Sequence, residues 1–139
     1  MKTLLRLALA CTLILVFTAC DNQQRSHATV EAYVQEAQQN TPLKVDDATT
    51  LTEVAIEGSN VVYHYLVDES MITIEAFSGQ ENLIRETFND RRNNDEATRQ
   101  FVEACVDAKL GIIMTYTGNV THDTFTVSFP LEEPAEAPA

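Results

Sequence analysis

Cations are scarce in this sequence. Nine lysines and arginines stand against 21 aspartates and glutamates, a formal charge of −12. Such a field repels phosphate backbones and anionic lipid headgroups, so the expectation is no nucleic-acid partner, and direct binding to a headgroup surface is a poor reading. Histidine is scarcer still: His27, His64 and His122 are the only imidazoles. None falls in an HExxH pattern or near a cysteine. His64 and His122 with the adjacent Asp123 make at most a weak metal set, and the expectation is no metal and no cofactor. Cysteine is limited to Cys11, Cys20 and Cys105. Long apolar runs are also missing. The one near the amino terminus is shorter than the roughly 20 residues a transmembrane helix needs, and no later segment approaches that length.

What stands at the amino terminus is specific. Lys2 and Arg6 precede the uncharged run Leu7 to Phe17, the charge-then-apolar order of a secretory signal. The next residues, Phe17-Thr18-Ala19-Cys20, resemble the lipobox of bacterial lipoproteins: a bulky apolar residue, two small ones, then cysteine. The resemblance implies cleavage after Ala19, diacylglycerol on the Cys20 thiol and acylation of the new amino terminus. Phe17 departs from the leucine most common there. Asp21 and Asn22 follow the cysteine, and in enterobacterial lipoproteins an aspartate there signals retention at the inner membrane. The resemblance therefore implies the periplasmic face of the inner membrane, with the outer membrane as the alternative. Loss of residues 1–19 removes Lys2 and Arg6, leaving seven cations against 21 carboxylates, or −14. Cys105 is then the only thiol left without lipid, so no internal disulfide forms, and burial is what keeps such a thiol inert.

The remaining chain reads as one small α+β domain over 28–131, after a lipidated tether at 20–27 and before a polar, proline-rich tail at 132–139. Ser26 is placed to cap a helical extension over 28–39, where Val30, Tyr33, Val34 and Ala37 share a face and Pro42 marks the break. Leu51 to Glu57 and Val61 to Val67 read as a hairpin around Gly58-Ser59-Asn60. Thr73 to Arg91 reads as a helix with Ile74, Phe77, Ile84 and Phe88 in its stripe, weakened by Gly79. A second helix runs to about Lys109, with Phe101, Cys105 and Ala108 inward. Ile112 to Thr117 and His122 to Leu131 form a last strand pair, with Phe125, Val127, Phe129 and Leu131 inward and Thr124, Thr126 and Ser128 outward. The expected fold is a two-layer domain: a four-stranded antiparallel sheet with two main helices on one face, in the order (α)ββααββ. This arrangement resembles small α+β lipoproteins of unassigned function. The runs Val61-Val62-Tyr63-His64-Tyr65 and Ile112-Ile113-Met114-Thr115-Tyr116 look alike and point to two central strands with similar surroundings.

No catalytic set emerges. Cys105 has neither a base nor a cation in its flanking sequence, no serine sits in a nucleophile elbow, and the carboxylate pairs Asp46-Asp47, Asp68-Glu69, Asp95-Glu96 and Glu132-Glu133 fall at element ends or in the tail. The expectation is a non-enzymatic, membrane-tethered periplasmic binding or accessory protein, with an inhibitor or immunity factor for a basic envelope partner as one form. Tyr63, Tyr65 and Tyr116 are the expected contact residues. The alternative is a carrier of a small apolar ligand, which requires a concave cavity lined by residues such as Tyr63, Tyr65, Phe88, Phe101 and Tyr116. An envelope hydrolase built around His64 is a third, weaker reading. Arg85, Arg91 and Arg92 form the one basic strip, with Glu81 placed to support Arg85.

Overall fold

The computed structural model describes residues 22–130. The signal segment 1–19, Cys20, Asp21, Leu131 and the tail 132–139 lie outside the described residues. Among those described, no helix is long and apolar enough to cross a membrane.

The first helix, α1, covers residues 22–39. Residues 22–27, expected to be tether, are thus helical. Their polar side chains suggest a linker, but nothing before Pro42 breaks a helix; Thr29 Oγ1 donates to Arg25 O one turn back, and His27 Nδ1 lies 3.3 Å from the Glu31 carboxylate one turn on. Val30 is wholly buried, with Tyr33, Val34 and Ala37 packed around it on the expected face. The elements that follow are β1 (Leu43–Lys44), β2 (Thr49–Glu57), β3 (Asn60–Val67), α2 (Ile74–Ser78), α3 (Glu81–Asn94), α4 (Glu96–Asp107), β4 (Gly111–Gly118) and β5 (Thr124–Phe129).

The sheet has five strands in the order β1-β2-β3-β4-β5 and is mixed, which corrects the expectation of four antiparallel strands. Both expected hairpins exist, β2–β3 and β4–β5. Where they meet, β3 and β4 run parallel. The reason is the connection: from Val67 the chain returns through three helices to the opposite end of the sheet, so β4 starts level with β3 and in the same direction. The two look-alike runs are then neighbours in register, Val61 beside Ile112 and Tyr65 beside Tyr116. At their start the Asn60 side-chain oxygen lies where a Cβ on Gly111 would be, so any larger residue there would have to turn the Asn60 side chain aside. The two-residue β1 carries too short a pattern to read from sequence.

The helix expected from Thr73 to Arg91 is broken, which alters the element order to αβββαααββ. Thr73 caps α2 by accepting from Ala76 N–H, and Gln80 N–H turns back to Phe77 O. Gly79 is the weak point at which α3 departs on its own axis. A new cap then forms at Asp95, which accepts from Thr98 N–H and starts α4.

Alternation along the strands places Val61, Tyr63, Tyr65 and Val67 on the helix-covered face, beside Ile112, Met114 and Tyr116 of β4 and Phe125, Val127 and Phe129 of β5. Thr124, Thr126 and Ser128 face solvent. The core on the covered face is divided. Val30, Phe101, Val102, Cys105 and Ala108 close one end over Leu51, Val54, Val61 and Ile112. Ile74 and Phe77 close the other over Val67, Tyr116 and Val127. Full burial of each such side chain contributes about 1.5–3 kcal/mol. Between the two clusters lies the row of tyrosines.

Candidate functional site

The gap between the clusters is a cavity of about 490 Å³. Its floor follows from strand alternation, which puts Tyr63 and Tyr65 of β3 and Met114 and Tyr116 of β4 on one face at adjacent positions. The rings form a ladder: Tyr63 and Tyr65 are stacked with centroids 6.5 Å apart, Tyr65 and Tyr116 with centroids 4.7 Å apart. Phe77 of α2 tilts against Tyr116 at 4.7 Å and closes that side. Tyr33 of α1 meets Phe101 of α4 edge-on at 5.4 Å and closes the other.

The roof is α3, and it is loosely seated. None of its side chains is buried. Ile84 and Phe88 are half-buried, and Leu83, which lines the cavity, is 58% exposed. The helix is pinned at its outer edge instead. Arg85 donates to the Glu81 carboxylate at 2.7 and 3.0 Å and to Ser128 O at 2.9 Å, its guanidinium lies over Phe129, and the Phe88 and Phe129 rings meet at 4.1 Å. That arrangement holds α3 over β5 while leaving space beneath it beside β3 and β4. Val45, Asp46 and Thr49 close the end next to β1, and Arg91, Ala97 and Thr98 line the cavity from α3 and α4.

Polar groups in the lining are few. Burial pushes the Tyr63 phenol well above its ordinary range, with Tyr65 and Cys105 adding to the effect. Burial raises Tyr65 to about 12, opposed by the nearby Arg91 charge. Tyr116 is raised by burial, then by Tyr65 and Asp46. All three phenols therefore stay protonated and able to donate. Among the described residues neither the Tyr63 nor the Tyr65 hydroxyl has a hydrogen-bond partner, and Tyr116 reaches only the Met114 sulfur at 3.6 Å. Thr49 Oγ1 is buried and has no partner among the described residues.

The structure thus gathers Tyr63, Tyr65 and Tyr116 into one site, together with Phe88 and Phe101. It does not gather the histidines. His64 lies on the opposite sheet face, 2.7 Å from Glu57, and His122 sits in the β4–β5 loop. Among the described residues no group of three histidine, cysteine or acidic side chains stands close enough to hold a metal. Cys105 is wholly buried, and burial raises its thiol to about 12. The basic strip disperses: Arg85 is paired, Arg91 faces the main cavity and Arg92 a smaller one of about 280 Å³. Thr49 and Tyr33 were not legible as site residues, whereas Arg91 was visible in the basic strip and Asp46 in a carboxylate pair, though neither as cavity lining. The only hint was the poor α3 stripe, interrupted by Gly79 and by a glutamate at position 81.

No protein-family model matches the chain, and no curated protein matches it either. Two solved structures share the fold. One is a candidate secreted protein of Pseudomonas aeruginosa, 16% identical, with a TM-score of 0.61 over 78% of this chain and 92% of that one. The other is the pilotin from the Vibrio vulnificus type 2 secretion system, 5% identical, with a TM-score of 0.59 over 80% of this chain and 93% of that one. At such identities the likeness is one of fold: a small α+β domain with a five-stranded mixed sheet under four helices.

Proposed function

We propose that this protein is a non-enzymatic binding protein, tethered by lipid on Cys20 to the periplasmic face of the inner membrane, whose binding site is the tyrosine-floored cavity. The observation that carries this reading is the divided core. A domain of this size stabilises itself by filling its interior, yet here about 490 Å³ stays open under a helix with no buried side chain. That volume lies within the range of small-ligand sites, about 300–1,000 Å³, and the mainly apolar lining with a few polar groups is their usual chemistry. The occupant best suited is one linear apolar molecule. Lipidation holds the site beside a bilayer, with Asp21 and Asn22 directing retention there.

A second reading has its own support. The fold resembles a protein named as a pilotin of a secretion system. On that reading the same cavity takes an apolar segment of an envelope protein partner, making this chain an accessory or assembly subunit, or an inhibitor or immunity factor. The charge of −14 on the processed chain would speed approach to a basic partner. The two readings separate by experiment. The protein is purified from native envelopes with a photo-crosslinking residue at position 83, and its bound material is analysed by mass spectrometry, with Cys20→Ala as the untethered control. One molar equivalent of a lipid-sized molecule supports the first reading. A crosslink to one protein, lost when the cavity is blocked by Thr87→Trp, supports the second. An empty cavity and no crosslink contradict both.

A further inference from the structure

Resting on the first reading above, we infer that the cavity is built for an anionic amphiphile, a linear apolar chain ending in a carboxylate whose head is held by Arg91 and the hydroxyls of Tyr63 and Tyr65. Arg85 is paired with Glu81. Arg91, Arg92 and Arg99 have no ion pair among the described residues, and of these three Arg91 alone lines this cavity, six residues beyond Arg85 on the same helix. Its charge acts on the Tyr65 hydroxyl below it and on Asp95 at the end of α3. Among the described residues the Tyr63 and Tyr65 hydroxyls have no acceptor. Together these groups form a donor set, and a guanidinium fork with two phenols matches the two oxygens of a carboxylate.

Asp46 gives the direction of binding. It lines the cavity beside Val45 and Thr49, next to β1, and its charge acts on Tyr116. An anion there would be repelled, so the head lies under Arg91 and the chain runs beneath Ile84 and Leu83 towards Phe77. A purely hydrocarbon occupant would leave all three donors unused. A cationic one would meet Arg91.

The test uses the whole processed chain, residues 20–139, carrying Cys20→Ala so that its own lipid cannot compete. Dodecanoate, dodecanol and dodecyl phosphate are titrated by calorimetry at concentrations below self-association. Dodecanoate is expected to bind about tenfold or more tightly than dodecanol, the factor that one charge-assisted hydrogen bond contributes. Arg91→Gln brings the two affinities together, and Tyr65→Phe narrows the gap. Arg92→Gln, the same charge change one residue away and outside this cavity, leaves the gap as it was. Equal binding of dodecanoate and dodecanol by the unaltered site overturns the inference while leaving the apolar-ligand reading standing. So does an Arg92→Gln effect as large as that of Arg91→Gln, because the preference then comes from overall charge. Tighter binding of dodecyl phosphate than dodecanoate overturns the assignment of the head group. No binding of any of the three overturns the apolar-ligand reading itself.

Discussion

Replacing Thr49 with valine exchanges a hydroxyl for a methyl at the start of β2, where the residue is 3% exposed and Oγ1 has no partner among the described residues. Both residues are β-branched and suit a strand, so the backbone has no reason to move. The backbone hydrogen bonds at this position, Val45 N–H to Thr49 O at 2.9 Å and Thr49 N–H to Asp46 O at 3.4 Å, involve no side chain and persist. What changes is the burial of a polar group without compensation, which costs about 1–3 kcal/mol. Thr49→Val is therefore expected to stabilise the domain by about 1 kcal/mol, the lower end, because the methyl enters a site shaped for a hydroxyl. For a domain of about 110 residues that is a rise in Tm of roughly 4 °C. Urea unfolding provides the cleaner assay: the midpoint rises while the slope stays constant, since the buried surface is unchanged. A loss of stability would show that the hydroxyl is satisfied in solution, and would refute the reasoning.

Further outcomes are expected at Glu69 and its neighbour Gly118, at Cys105 and at Phe101. The Glu69 carboxylate accepts from Val120 N–H, Thr121 N–H and Thr121 Oγ1, each at 2.7 Å, and these bonds hold its pKa below the usual value of 4.5. Its contribution to stability is thus present above the unfolded pKa and is lost as pH falls through the lower folded one. Urea midpoints followed downwards in pH should decline less steeply below about 4.5 for Glu69→Gln. Gly118→Ala should mimic that variant, because a Cβ there would occupy the space of the Glu69 carboxylate. The two changes combined should add little to either alone. Cys105 should resist alkylation by iodoacetamide in the native protein and react fully in denaturant, since burial lifts its thiol to about 12. Phe101→Ala, which removes the ring against Tyr33 at the better-packed end of the core, should cost about 3–5 kcal/mol by chemical denaturation.

Much of the fold was legible because local pattern and final environment agree. The alternation of Phe125, Val127 and Phe129 with Thr124, Thr126 and Ser128 is what a one-sided sheet requires, and it places both sets correctly. The α4 stripe of Phe101, Cys105 and Ala108 identifies its buried face for the same reason. The errors arose where structure depends on distant partners. Nothing within β3 or β4 says that they pair with each other in parallel; that follows from the length and path of the three-helix connection. The break at Gly79 and Gln80 was visible only as a weakness in a longer stripe. The tyrosines stood out as groups with an apolar body and a polar tip. Thr49 did not, because its significance comes from what it fails to contact.

The central claim is that the space beneath α3 is a binding site. The natural chain has no tryptophan, so Leu83→Trp places a single reporter at the cavity wall, and dodecanol titrated into the Cys20→Ala chain reads its occupancy directly. The account predicts a saturable blue shift of the emission at one equivalent, suppressed when Thr87→Trp, reported by its own emission in a Leu83-intact chain, fills the space. A spectrum that stays unchanged, or drifts without saturating, would contradict it.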